Sequence, residues 1–321
     1  MGITPKGTGA LTIYSLYQRE LQTLAVYEKP HGIKCGTFGA TASNTRHLAT
    51  GDYKGVMNIW DVEVADVPLY STQAHKSIVN AIDGCGGQNS GNGTPEIATC
   101  GQDGCVRVWD VRVAEPVVTL AFKEQDIGHD CWTVCFGNSY NNSERCIVSG
   151  YENGDVKLFD LRTNSVRWET NCQNGVVHVQ FDQKNSEMNK LLVTTLDSNF
   201  RVYDLQTLHP EKGFTCITEK AHRSIIWQGH FLPQNRDLFM TSGGNGGLNL
   251  YKYHHPLSRT AKDADGRLYG VCGTVELLNS RVLSTQPIVS MDWSPDREGF
   301  CALACLDKTV RVYIVTDTNK L

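Results

Sequence analysis

Histidine, a hydroxyl and a carboxylate or amide recur together along this chain. The first set is His75, Thr99 and Asp103, closed by Trp109. A second is His129, Ser149 and Asn153, and a third is His222, Thr241 and Asn245. One histidine, one hydroxyl and one acid meeting in a cleft can perform acyl transfer, provided that substrate reaches a single nucleophile. Here the combination returns in successive segments with residues exchanged, Ser for Thr and Asn for Asp. A structural device tolerates such exchange and a catalytic centre does not. The sets therefore read as internal hydrogen bonding, since a buried donor or acceptor left unpaired costs about 1–3 kcal/mol.

Other reactive residues are weaker candidates. Twelve cysteines occur in a chain with no basic start followed by an apolar run, so no secretory signal opens it. Lys6 also stands where a myristoylation signal needs Ser or Thr. Free thiols in a reducing compartment are the expectation. Cys131 with Cys135, and Cys301 with Cys305, lie in strand-like text. Four residues of extended chain separate their sulfurs by about 13 Å, too far for one metal or one disulfide. His254 and His255 are adjacent and point opposite ways on extended backbone, so no metal site is expected there. The glycine-rich stretch from Asp83 to Glu96 lacks the Lys-Ser/Thr ending of a phosphate-binding loop and reads as a surface hairpin. No cofactor or metal is implied. Net charge is −4, which argues against a broad grip on nucleic acid or anionic lipid, and no apolar run is long enough to span a membrane.

The elements that must position these residues are strands. A beat of apolar, polar, apolar, aromatic ends at Tyr14, Trp60, Trp109, Phe159, Tyr203, Tyr251 and Tyr313. Its period of two is that of extended chain. Successive aromatics are 46, 49, 50, 44, 48 and 62 residues apart, the spacing of propeller blades. Asp or Asn precedes five of the aromatics by six residues, at Asp103, Asn153, Asp197, Asn245 and Asp307, as hairpin turns require. The longest gap holds an insertion from Lys252 to about Leu277, expected to be an exposed mobile loop.

The stretch "IATCGQDGCVRVWD" resembles the repeat ending of the WD-repeat family. That resemblance implies an all-β, seven-bladed WD-repeat β-propeller, one domain over residues 1–321. It also implies that His, Ser or Thr, turn Asp and Trp form a buried hydrogen-bonded chain within a blade. Longer segments, among them "DCWTVCFGNSYN", "EKAHRSIIWQ", "LPQNRDLFMTSGG" and "STQPIVSMDWSPD", resemble the WD-repeat adaptors of axonemal dynein arm preassembly. This second likeness implies a non-enzymatic scaffold or co-chaperone in the cytoplasm, near cilia. Its implied partners are a chaperone assembly with reptin and pontin ATPases and prefoldin-like subunits, with dynein chains as clients. The chain would act as a monomer within that complex. Exposed aromatics and arginine dominate many protein contacts, and Trp132, Tyr151, Trp168, Arg223 and Trp227 are the candidates here. The competing reading is a WD-repeat reader of basic peptides or of nucleic-acid-associated complexes. An enzyme would need one asymmetric cluster of acids, histidines or metal ligands, which the sequence does not offer.

The first beat, "GALTIYSL", has no room before it for the strands that should precede it. A first blade lacking its early strands, with ring closure missing, is expected, and Met1 is read as an internal methionine of a longer protein. Unpaired edges at such a seam invite aggregation. A chain extended upstream is therefore expected to melt higher and stay more soluble; equal melting temperature and a monomeric state for both would refute this.

Overall fold

In a computed structural model the described residues are 7–41, 45–86, 96–121, 128–140, 144–184, 186–209, 213–262 and 265–318. They form two compact units, residues 1–132 and 133–321. All regular elements are strands, and no α-helix occurs among the described residues.

Unit 1 begins with a ribbon of β1 (Gly9–Tyr17) and β2 (Glu20–Lys29). A four-stranded meander follows: β3 (Ile33–Thr37), β4 (Leu48–Asp52), β5 (Val56–Trp60) and β6 (Tyr70–Gln73). The next comprises β7 (Val79–Gly84), β8 (Glu96–Gly101), β9 (Val106–Asp110) and β10 (Val118–Leu120). Neighbouring strands in each are antiparallel, as short turns dictate. The two sheets share one apolar cluster that includes Ala49, Met57, Ile59, Val79, Ile82, Ile97 and Trp109. Sheets covered on both faces in this way explain why the beat carries apolar side chains on alternate faces.

The chain passes into unit 2 within β11 (Cys131–Gly137), which pairs with β12 (Cys146–Tyr151), β13 (Asp155–Asp160) and β14 (Ser165–Asn171). Then come β15 (Val176–Phe181), β16 (Lys190–Thr195), β17 (Asn199–His209) and β18 (Gly213–Lys220). The following sheet is β19 (Ile226–Leu232), β20 (Asn235–Gly243), β21 (Gly247–His254) and, after a small hairpin of β22 (Thr260–Lys262) and β23 (Leu268–Gly270), β24 (Thr274–Val282). The last sheet has three strands, β25 (Ile288–Trp293), β26 (Phe300–Cys305) and β27 (Val310–Ile314). Core clusters sit between successive sheets. One joins Val148, Leu158 and Trp168 to Val176, Leu191, Tyr203 and Phe214. Another joins Leu192, Phe200 and Val202 to Ile226, Phe231, Phe239 and Tyr251, whose rings meet 5.0–5.5 Å apart.

The blade count expected from the seven beats is corrected. Among the described residues six sheets have blade form, five of four strands and one of three. The beat ending at Tyr14 lies in the two-stranded ribbon, where Tyr14, Leu24 and Val26 remain exposed. Two strands cannot cover their own apolar faces. Long side chains hold the ribbon to the next sheet instead. Lys29 is buried, donates to the Ala65 carbonyl and lies 3.7 Å over the Trp60 ring. The Tyr27 hydroxyl donates to the Glu63 carbonyl at 3.0 Å.

The insertion is likewise not the free loop expected. It runs through β22 and β23 and is hooked to earlier strands of unit 2. Arg259 places Nε 3.0 Å from Asp204 and donates through Nη2 to Asn189 at 2.7 Å. His255 meets Asp237 at 2.9 Å, while His254 turns to Glu276 at 2.7 Å. Asp237 also takes the ammonium of Lys190 at 2.8 Å. Lys190 and Asp182 are fully buried and 3.4 Å apart, and Arg236 closes on Asp182 at 2.7 Å. A buried charge persists only with such partners. Lys190→Met removes the ammonium and leaves Asp182 with Arg236 and the Asn189 backbone amide. The expected cost is about 3 kcal/mol, the lower end for a broken buried pair, read as a lowered urea midpoint.

Candidate functional site

The first set assembles in unit 1 around a single hydroxyl. Thr99 lies on β8, Trp109 on β9, Asp103 in the turn between them, and His75 in the connection after β6. Trp109 Nε1 donates to Thr99 Oγ1 at 2.9 Å, and Thr99 meets His75 Nε2 at 2.9 Å. His75 Nδ1 lies 2.8 Å from Asp103 Oδ1. Because Thr99 accepts from the indole, its own proton goes to Nε2, which leaves Nδ1–H to donate to Asp103. Arg107 donates to the other carboxylate oxygen at 3.0 Å. Burial opposes ionisation of Asp103, yet the hydrogen bonds from His75 and Arg107 and the guanidinium charge outweigh it. Its carboxyl is held well below the usual range.

The third set meets in unit 2. His222 Nε2 lies 2.9 Å from Thr241 Oγ1, and Asn245 hydrogen-bonds the same ring. Burial lowers the His222 pKa against the pull of Asn245, favouring the neutral ring. Tyr251 stands where Trp109 does in the first set, and its hydroxyl bonds Thr241 and accepts from Asn249 at 3.1 Å. Gly246, at φ 71° in this turn, packs so tightly on the Ser284 carbonyl that a Cβ would collide with it.

Of the second set, His129 belongs to unit 1, and Ser149 and Asn153 belong to unit 2. Ser149 Oγ donates to the Tyr151 hydroxyl at 3.2 Å, and Asn153 donates to Asp155 at 2.9 Å. Phe159, at the aromatic position, has no donor to offer the serine, and Tyr151 supplies the partner from the same strand.

Sequence reasoning missed two further members. Trp60 Nε1 donates to Thr50 Oγ1 at 2.8 Å. Thr50 precedes Trp60 by ten residues, as Thr99 precedes Trp109, so the spacing was there to read. At the last sheet Ser284, from the connection before β25, donates to Asp307 at 3.1 Å, and Arg311 pairs with Asp307 at 2.7 Å. Ser284 thus faces the turn acid as His75 does, and the Asp307–Arg311 spacing copies Asp103–Arg107.

Of the contact candidates, Arg223 is exposed and Trp132 and Trp227 are half-buried. Tyr151 is 1% exposed, and Trp168, at 9%, packs edge-on against Tyr203 and Phe214 at 5.1 and 5.0 Å. Core packing leaves those two no surface to offer a partner.

Repeated antiparallel sheets and recurring buried hydroxyl sets define a WD-repeat propeller. The WD domain, G-beta repeat family matches residues 66–110, which hold the first set. A chain in the solved "Crystal Structure of Mitotic Checkpoint Complex" superposes with a TM-score of 0.68, covering 95% of this chain and 82% of that one at 15% identity. That is a likeness of fold alone. Dynein axonemal assembly factor 10 of Homo sapiens is 51% identical over 322 residues, 100% of this chain and 90% of its own length. The protein of the same name from Chlamydomonas reinhardtii is 52% identical over 323 residues, with the same coverage. The chain belongs to the dynein axonemal assembly factor 10 family.

Asp103, held ionised, stabilises the folded state above the ordinary carboxylate range, and that contribution is lost as pH falls through its depressed folded value. Asp103→Asn should therefore lower the melting temperature at pH 7. The gap to the unsubstituted protein should narrow below about pH 4, where the unfolded carboxylate protonates. A gap that stays constant down to pH 2 would contradict the assignment.

Proposed function

We propose that this chain is a non-catalytic protein-interaction scaffold, an adaptor or co-chaperone in the cytoplasmic preassembly of axonemal dynein arms. The observation that carries the reading is the match along the whole chain to relatives named dynein axonemal assembly factor 10. Burial of the hydroxyls supports the absence of catalysis. Thr99, Ser149 and Thr241 are each 0% exposed, so none can meet a substrate as a nucleophile. All twelve cysteines are free, which suits a reducing compartment.

In this reading the chain works as a monomer inside a larger assembly. The chaperone side is supplied by reptin and pontin ATPases with prefoldin-like subunits, and dynein chains are the clients. Arg223, in the connection before β19, supplies contacts together with Trp132 on β11 and Trp227 on β19. Affinity purification of the tagged chain from ciliated cells should recover dynein chains and chaperone subunits together. Arg223→Glu should reduce recovery several-fold while leaving the melting temperature unchanged. Recovery of neither class by the unsubstituted chain would overturn the reading.

A further inference from the structure

Two loops of unit 1 carry nearly the same text. After β5 the chain reads Asp61-Val62-Glu63-Val64-Ala65-Asp66-Val67-Pro68-Leu69, and after β9 it reads Asp110-Val111-Arg112-Val113-Ala114-Glu115-Pro116-Val117. Both leave the third strand of adjacent sheets that share one core, and so leave at the same end. Their aliphatic side chains face water. Val64 is 64% exposed, Val67 74%, Leu69 59%, Val113 45% and Val117 50%.

These residues cannot simply turn inward. Ala65 and the rings of Trp60 and Trp109 take the buried positions of these segments. The loop backbones are tied as well. Leu69 N donates to Ile59 O and Val117 N to Val108 O, both at 2.8 Å. Glu63 N and Arg112 N donate to Asp61 and Asp110 at 2.9 and 3.0 Å. Nor does the fold demand exposed valines here. The corresponding stretch after β13 in unit 2 is Leu161-Arg162-Thr163-Asn164-Ser165, an ordinary polar turn.

Carboxylates surround the exposed aliphatics. The two loops hold Asp61, Glu63, Asp66, Asp110 and Glu115 against the cation Arg112, which is itself closed onto Asp110 at 2.7 Å. Lys29 lies underneath, buried. Preformed apolar groups within an acidic rim suit a partner that is apolar along one stripe and basic beside it. A second copy docking face to face would set carboxylate against carboxylate, and nucleic acid or anionic lipid would be repelled.

We infer that the loops 61–69 and 110–117 form a docking face for a basic amphipathic segment of a partner protein. This rests on the scaffold reading above and adds where one partner binds and what chemistry it carries.

The test titrates the whole chain with a fluorescein-labelled peptide of 14 residues, lysine and leucine placed at helical spacing, and with its glutamate-for-lysine counterpart. The lysine peptide should bind, weaken as salt rises, and protect amides of 61–69 and 111–117 from exchange. The glutamate peptide should not bind. Glu63→Lys with Glu115→Lys should weaken binding about tenfold and flatten the salt dependence. Val64→Asn with Val113→Asn should weaken it about as much while keeping that dependence. Protection elsewhere, or indifference to both pairs of changes, would overturn the proposal. So would a concentration-dependent dimer in sedimentation that either pair abolishes, since a second copy would then be the occupant. Unchanged recovery of dynein chains by Glu63→Lys/Glu115→Lys, alongside failed peptide binding, would sink this face and leave the scaffold reading standing.

Discussion

The hydroxyl of Thr99, buried on the second strand of its blade, both accepts and donates, and the residues around it meet that demand. At Thr99 the indole of Trp109 supplies the donor and His75 the acceptor. Because the histidine comes from the connection preceding the blade, the chain bridges to the blade before its four strands are complete. The turn acid then fixes the histidine from its other side. Where one participant changes, the rest adjust. Tyr251 brings a hydroxyl to Thr241, Phe159 brings nothing and Ser149 turns to Tyr151, and Ser284 stands in for a histidine opposite Asp307. The common element is satisfaction of a buried polar group; residue identity is secondary.

Much of this was legible from residues alone, because it is local. The aromatic beat needs only a period of two, and its recurrence needs only counting. Pairing of Thr with an aromatic ten residues later spans a single hairpin, so Thr50 with Trp60 could have been found by the spacing already seen at Thr99 and Trp109. What escaped was non-local. Counting beats says how many third strands exist, not how many partners each recruits, and so the Tyr14 beat counted towards seven blades as an incomplete first one where the structure has a two-stranded ribbon. Arg259 finds Asp204 fifty-five residues away and Asn189 seventy away. No periodicity marks such a contact, and the insertion looked like a loop.

Burial separates the aromatics in the same manner. Trp168 and Tyr151 have the composition of contact residues, yet the core uses both. Apolar residues in the loops after β5 and β9 run the other way: their neighbours in sequence are acidic and polar, which disguises how much aliphatic surface they present. Side-chain type fixes what a residue can contribute, and only the packing of its neighbours decides whether it faces the core or water.

Anchorage of the insertion has a mechanical side. A loop attached only at its ends peels from a sheet when pulled, breaking one strand pair after another. Here the segment joining β21 to β24 is also pinned to Asp204 on β17 and to Asn189 just before β16 of the neighbouring sheet, and to Asp237 on β20. Force arriving at the β22–β23 hairpin is shared between two sheets and must shear several polar contacts at once. The longest excursion of the chain from its repeat is thereby a brace between two sheets.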